Sequence, residues 1–401
     1  MRVLHLTTEY PPLIYGGLGT AVGGLVQASA AAGLEVSVLL VGHGSSQGYV
    51  SNPLPASDQL EVGCEWDGSV LVCSVPHADA IRASVEFARC WRPDVIHVHV
   101  FWLAHVTARM REATGVPLVY TVHSLDRAEY ELGEGPSECL TQWPIQSDLI
   151  AAADLIIALT SDEQQLISEY CPAARARIRV AGNGIFDTPH ARNCARHRPT
   201  QGDLTILYTG RFVDRKGIRE LLLAAPDFLA EAPSARLVMA GGHRDASAAD
   251  MAAYWLPETC QAYRDRIYFT GWLTPSRLAE WYAVSDILVV PSWYEPFGMV
   301  ILEGMLYGLA IVASDVGGPR EILRDEKTGL FCRPKDVASL GSQVKRLIHD
   351  RGLRCRLGTR AAQEVRSHWS FRSVVQSVNS VYVEAAARQK PIIDKRAIRC
   401  A

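Results

Sequence analysis

Two carboxylates, Glu295 and Glu303, stand eight residues apart in the stretch EPFGMVILEGMLYG, the first just ahead of an apolar helical run and the second inside it. With a rise of about 1.5 Å per residue, Glu303 falls roughly 7 to 8 Å along the helix from Gly298, while Glu295 stays in the preceding loop. The two groups are therefore spaced to reach different parts of one ligand. Ionised carboxylates only accept hydrogen bonds, so their natural partners are hydroxyl pairs such as those of sugars. The unpaired N–H groups around Phe297, Gly298, Met299 and Val300 at the helix start suit a phosphate held between them. Without a ligand, Glu295 would merely cap the helix and Glu303 would be exposed, which fits poorly with its neighbours Ile301, Leu302, Met305 and Leu306.

A second set of groups carries positive charge. In YTGRFVDRKGIRELL a strand ending at Gly210 delivers Arg211 and, five residues on, Lys216. Arginine grips oxygens with a planar fork and lysine acts as a mobile point charge, so the pair suits a diphosphate. Asp214 and Glu220 offer local neutralisation instead. In YGGLGTAVGGL, the run Gly16, Gly17, Leu18 and Gly19 precedes a helix, where bare backbone admits an anion or a sugar hydroxyl. The spacing is not the G-x-G-x-x-G of a dinucleotide site, and a tight turn accounts for the glycines equally well. His97 and His99 share a strand face and His105 follows, but no further ligand joins them at regular spacing and no D-x-D occurs, so no metal is expected.

The elements that must position these groups are legible as alternating strands and helices. RVLHLTTEY reads as a strand, TAVGGLVQASAAAG as a helix ended by Gly33, and EVSVLLVG as a strand, the period switching from two to 3.6 and back. PDVIHVHV, PLVYTVHS, ADLIIALT and RIRVAGNG continue the series, apolar enough for parallel strands buried on both faces. Periodicity lapses in the polar stretch after residue 186 and restarts with LTILYTGR, ARLVMAGG, RIYFTGW, DILVVPS and AIVASDVGG. The expected architecture is α/β, with two Rossmann-like doubly wound domains facing each other across a cleft. Residues 1–186 form the first, 187–202 the linker, and 203–370 the second. Residues 371–389 form a final helix read as packing back on the first domain.

Composition narrows the partners. The net charge of −3 is the sum of a first part, residues 1–186, at −10 and a remainder at +7, which suits an anionic ligand on the second domain and disfavours nucleic acid on the first. No apolar run of membrane-spanning length appears, so a cytoplasmic protein without stable membrane association is expected. The ten cysteines are scattered with no C-x-x-C, which predicts buried reduced thiols instead of a disulfide frame or zinc site.

Taken together, GGLG after the first strand, GRFVDRKG opening the second domain, EPFGMVILE and the following GGPREIL resemble the retaining glycosyltransferases of family 4, with the two-domain GT-B fold, up to about residue 388. The resemblance implies that the second domain binds a nucleoside-diphosphate sugar (a UDP-, ADP- or GDP-sugar, as co-substrate and not cofactor) and the first an acceptor hydroxyl. It implies that Arg211 and Lys216 hold the diphosphate, Glu295 and the backbone after it the sugar, and Glu303 the ribose, with Gly271, Trp272 and Leu273 flanking the base. His123, ending a first-domain strand, is placed beside the reacting sugar. No covalent nucleophile is implied, the leaving phosphate taking the acceptor proton. The segment from His123 to Trp143, with Asp126, Glu129, Tyr130 and Glu131, is a candidate acceptor pocket; an exposed acidic loop is the other reading. The sequence departs from glycogen and starch synthases at Ile14, where their K-x-G-G-L motif has lysine, so polymer elongation is not implied. Epimerase, phosphorylase and a catalytically silent sugar-nucleotide-binding subunit stand as alternatives on the same fold.

Overall fold

The structure is a computed structural model that describes residues 1–42, 63–196 and 204–388. Strands β1 (Arg2–Thr7), β2 (Glu35–Val41), β3 (Gly63–Asp67), β4 (Val70–Val75), β5 (Val95–Val98), β6 (Leu118–Val122), β7 (Leu155–Ala158) and β8 (Ile178–Val180) form one sheet in the order β3-β4-β2-β1-β5-β6-β7-β8. All neighbours are parallel except the β3 and β4 pair at the edge. Strands β9 (Thr205–Gly210), β10 (Arg236–Gly241), β11 (Ile267–Gly271), β12 (Ile287–Val290), β13 (Ala310–Ser314) and β14 (Leu330–Cys332) form a wholly parallel second sheet, β11-β10-β9-β12-β13-β14.

Helices cover both faces, and successive residues of a strand feed different cores. In β2, Leu39 and Val41 join one apolar cluster while Val36, Val38 and Leu40 join another on the opposite face. That is the period of two read through a sheet that is buried twice. Strand order reverses between β1 and β5 in the first sheet and between β9 and β12 in the second. Beyond the carboxyl ends of strands at such a switch point the adjacent loops diverge and leave a crevice, the usual ligand position in this architecture.

The chain passes between the sheets twice, and the two passages run together: Ile185 N–H donates to the Trp369 carbonyl at 2.8 Å, and Ile185 bridges Ser370. The last helix, Phe371–Ala387, packs on the first sheet, where Phe371, Val375, Val378 and Tyr382 join Val3, Val95, Val119 and Leu155 in one core.

Two expectations need correction. The stretch after residue 186 is not irregular throughout, since Pro189–Arg196 is a helix. Proline suits a first helical turn, and Ala191 is buried against the second domain, so tertiary packing supplies what the polar sequence does not. The cysteines are not all reduced and buried: Cys64 and Cys73 form a disulfide, and Cys90 and Cys355 are exposed. Cys64 and Cys73 sit directly opposite each other in the antiparallel β3 and β4 pair, a proximity created by register and not by a recognisable spacing. Cys400 lies outside the described residues.

Gly24 lies where the helix Gly17–Ala31 meets Phe371; a Cβ there would come within 1.9 Å of the buried ring. Gly24→Ala is expected to destabilise by about 1 to 3 kcal/mol through overpacking. Calorimetry should show a lowered Tm, and an unchanged one would mean that the contact yields freely.

Candidate functional site

Glu295 follows β12 in a loop that runs between the domains. Its Oε2 accepts from Lys216 Nζ at 2.6 Å and from Ser292 Oγ at 3.1 Å. Burial pushes the Glu295 carboxyl up, but Lys216, with Arg215 beside it, outweighs that and holds it below the usual range. Burial drags Lys216 downward, with Glu295 opposing the drop. With the two side chains in contact, the pair is best described as ionised together. Its loop is shaped by close backbone approach: Gly318 N–H donates to the Glu295 carbonyl at 2.8 Å, and a Cβ on Gly318 would lie 1.8 Å from the Phe297 carbonyl oxygen. The two glycines of GGPREIL thus admit the loop that carries Glu295.

Gly298, in the left-handed region at φ 103°, caps the helix Met299–Leu306. That helix begins against the start of the helix Gly17–Ala31, since a Cβ on Gly17 would be 3.5 Å from Met299 Cγ. Two helix N-termini, one per domain, therefore meet at one seam, and each brings partial positive charge to it. The glycine loop is already occupied by an anion of the protein itself: Glu9 Oε2 accepts from Tyr15 N–H at 2.9 Å and Gly19 N–H at 3.2 Å. Glu9 had no signal in the sequence, because nothing marks a carboxylate ten residues upstream as returning to the loop.

Glu303 is half-buried on the helix Met299–Leu306 and accepts from Tyr282 Oη at 2.6 Å. Burial pushes it up to about 7, the Tyr282 hydroxyl opposing. Arg211 is exposed one residue past β9, its charge acting on Lys216. Gly271, at φ 68°, turns the chain after β11 into half-buried Trp272 and Leu273.

His123 sits one residue past β6, its Nε2 3.1 Å from His99 Nδ1. His5, His97 and His99 each bring a ring nitrogen within 4.8 Å of the others, so a third histidine does join the two seen on one strand. The residue that sequence spacing hid is His5, which pairs with His97 across β1 and β5. Burial lowers all four: His5 to about 3, His123 to about 4, and His97 and His99 well below the usual value, with neighbouring histidines adding to the effect on the last two.

Of the segment after His123, Glu129 reaches the seam, where Oε1 accepts from Arg215 Nε of the second domain at 2.7 Å and Oε2 from Ser124 Oγ at 3.1 Å. Glu131 is tied to Arg127 at 2.7 Å and Tyr170 at 2.8 Å, and Tyr130 is exposed. Asp126 is buried and pushed up to about 6, by burial first and Glu129 second. Arg215, only 6 % exposed, and Tyr294 were missed. Tyr294 Oη donates to Glu163 at 2.9 Å and accepts from Leu125 N–H at 3.1 Å, both in the first domain.

Glu295→Gln would leave Lys216 buried without its counter-charge, an expected loss of about 3 kcal/mol by chemical denaturation. Gly318→Ala should instead displace the loop at Phe297. Its expected signature is weakened binding at the seam out of proportion to any loss in Tm, and a proportionate loss would assign Gly318 to the core alone.

The family model described as Glycosyl transferases group 1 matches residues 192–364, and the Glycosyl transferase 4-like domain matches residues 16–184. The chain is 30% identical to the glycogen synthase of Mycobacterium tuberculosis, over 96% of this chain and 95% of that protein. It superposes on sucrose-phosphate synthase from Thermosynechococcus elongatus with TM-score 0.76 at 22% identity, covering 96% of this chain and 99% of that one. It also superposes on Anabaena HepE in complex with UDP-glucose, with TM-score 0.69 at 17% identity, covering 96% and 100%.

Proposed function

The chain belongs to the GT-B glycosyltransferases of family 4, and on that premise we propose that it moves a sugar from a nucleoside diphosphate to an acceptor hydroxyl, with retention at the anomeric carbon and without a metal or other cofactor. The observation that carries this is the pairing of Lys216 and Glu295 beside the start of the helix Met299–Leu306, with the charge of Arg211 acting on Lys216 and Glu303 further along that helix. In the proposal Arg211, Lys216 and the helix N–H groups around Phe297 to Val300 take the diphosphate, whose growing charge they stabilise as the bond to the sugar breaks. Glu295 takes sugar hydroxyls, Glu303 the ribose diol, and Gly271, Trp272 and Leu273 flank the base. The Gly16 to Gly19 loop lines the opposite wall, and Glu9, now on its N–H groups, is the group a donor phosphate would displace.

A uridine nucleotide is the first to test, because HepE was crystallised with UDP-glucose. The acceptor is proposed to be a small molecule or saccharide at the segment of Asp126, Glu129, Tyr130 and Glu131. Glu129 is the strongest of these, since it faces the second domain through Arg215. Sucrose-phosphate synthase fits a small acceptor and glycogen synthase a polymer; Ile14, in place of the lysine of K-x-G-G-L, favours the small one.

Calorimetric titration with UDP, ADP and GDP in EDTA should give tight binding of one nucleotide, weakened roughly 10- to 100-fold by Glu303→Gln. No binding by any of the three would end the proposal. Glu303 is protonated below its value of about 7 in the free protein, so affinity should fall as pH drops through that value. The native state favours its protonated form, so its contribution to stability is complete below the ordinary glutamate value and lost as pH rises toward 7; Glu303→Gln should raise Tm only on the alkaline side. Product NMR should show a retained anomeric configuration. An acceptor KM unmoved by both Glu129→Gln and Glu131→Gln would exclude the acidic segment.

A further inference from the structure

We propose that His5 and His99 are positioning residues that fix the ring proton of His123 on Nδ1, so that an N–H and not a lone pair faces the cleft. This rests on the transferase reading above only for its consequence in catalysis; the proton position is testable without turnover.

Three neighbouring strands, β1, β5 and β6, bring the rings into a row at the switch point. His5 lies in β1, His99 one residue past β5 and His123 one residue past β6. His5 Nδ1 and His99 Nε2 are 2.9 Å apart, and His99 Nδ1 and His123 Nε2 are 3.1 Å apart. The His5 and His99 rings are inclined by only 7° with centroids 5.2 Å apart, so their facing nitrogens meet edge to edge, as a ring N–H aimed at a ring lone pair requires.

A neutral imidazole has one donor nitrogen and one acceptor nitrogen. A row of three therefore has two self-consistent directions, and its buried end selects between them. His5 Nε2 is buried and has no partner among the described residues. An orphaned buried N–H is rarer than an unshared acceptor, so the proton of His5 belongs on Nδ1. His5 then donates to His99 Nε2, His99 donates from Nδ1 to His123 Nε2, and His123 is left with its proton on Nδ1. His97 stands beside the row without joining it: Nδ1 meets Tyr382 Oη and Nε2 meets Thr121 Oγ1, each at 2.7 Å.

The same cluster has the donor set of a metal site, but both nitrogens of His97 and of His99 are already partnered by protein atoms. No carboxylate is among the charges acting on His97 or His99, so a divalent ion would be buried uncompensated. A donor at His123 Nδ1 would hold a sugar oxygen and could not act as a base, which agrees with a transfer in which the leaving phosphate takes the proton.

The test is long-range proton–nitrogen correlation NMR on the full chain with labelled histidine. The expected wild-type spectrum shows His5, His99 and His123 all protonated on Nδ1; a proton on Nε2 of His123 overturns the proposal. His99→Leu should move His123 toward the other tautomer and lower kcat on the order of tenfold, the worth of one hydrogen bond, with donor KM unchanged. His99→Asn, whose amide replaces the Nδ1 donor, should restore both. A His123 signal unmoved in His99→Leu counts against the relay, as does a stoichiometric transition metal in the purified protein that His5→Leu abolishes. If His99→Leu does not fold, the wild-type spectrum decides alone.

Discussion

One short loop, from Ser292 to Gly298, is shared by both domains, and the geometry of the seam follows from how its side chains alternate. Tyr294 turns into the first domain, where its hydroxyl joins Glu163 and the Leu125 N–H and its ring belongs to that core. The next residue, Glu295, turns back to Lys216 in its own domain. Phe297 then lays its carbonyl against Gly318. A displacement of this backbone would therefore disturb the domain contact, the buried ion pair and the start of the helix Met299–Leu306 together.

Charge at the seam is balanced locally. Lys216 faces Glu295 and Arg215 faces Glu129, so in the free protein much of the positive charge is matched by carboxylates. Glu9 does the same for the N–H groups at the start of the first helix. A phosphate bound there, as proposed above, would exchange one anion for another at Lys216 and at the helix start, and would meet Arg211 as the exposed cation. Such exchange is milder than opening a desolvated charge cluster, because removing one partner of a buried pair without replacement is what costs most.

Much of this was legible in the sequence, for identifiable reasons. Parallel strands buried on both faces advertise themselves as apolar runs, and the glutamate pair is conspicuous because Glu303 interrupts one. Arg215 was not separable from its neighbours Arg211 and Lys216, since three cations in one short loop look alike until burial distinguishes them. Cys64 and Cys73 required the register of an edge hairpin, and His5 required knowing that β1 and β5 are adjacent. The helix Pro189–Arg196 forms where packing by Ala191 overrides a polar sequence. What escaped was information carried by tertiary neighbours and not by local pattern.

The last helix is made after the second domain yet belongs to the first. Until it emerges during synthesis, the face of the first sheet that carries Val3, Val95, Val119 and Leu155 has no cover from Phe371, Val378 and Tyr382, and His97 lacks its hydroxyl partner. Domains ordinarily complete themselves in the order of translation. Here the first domain begins first and closes last, so its apolar face must wait through the making of the entire second domain, and the cell has to keep that face from other chains meanwhile.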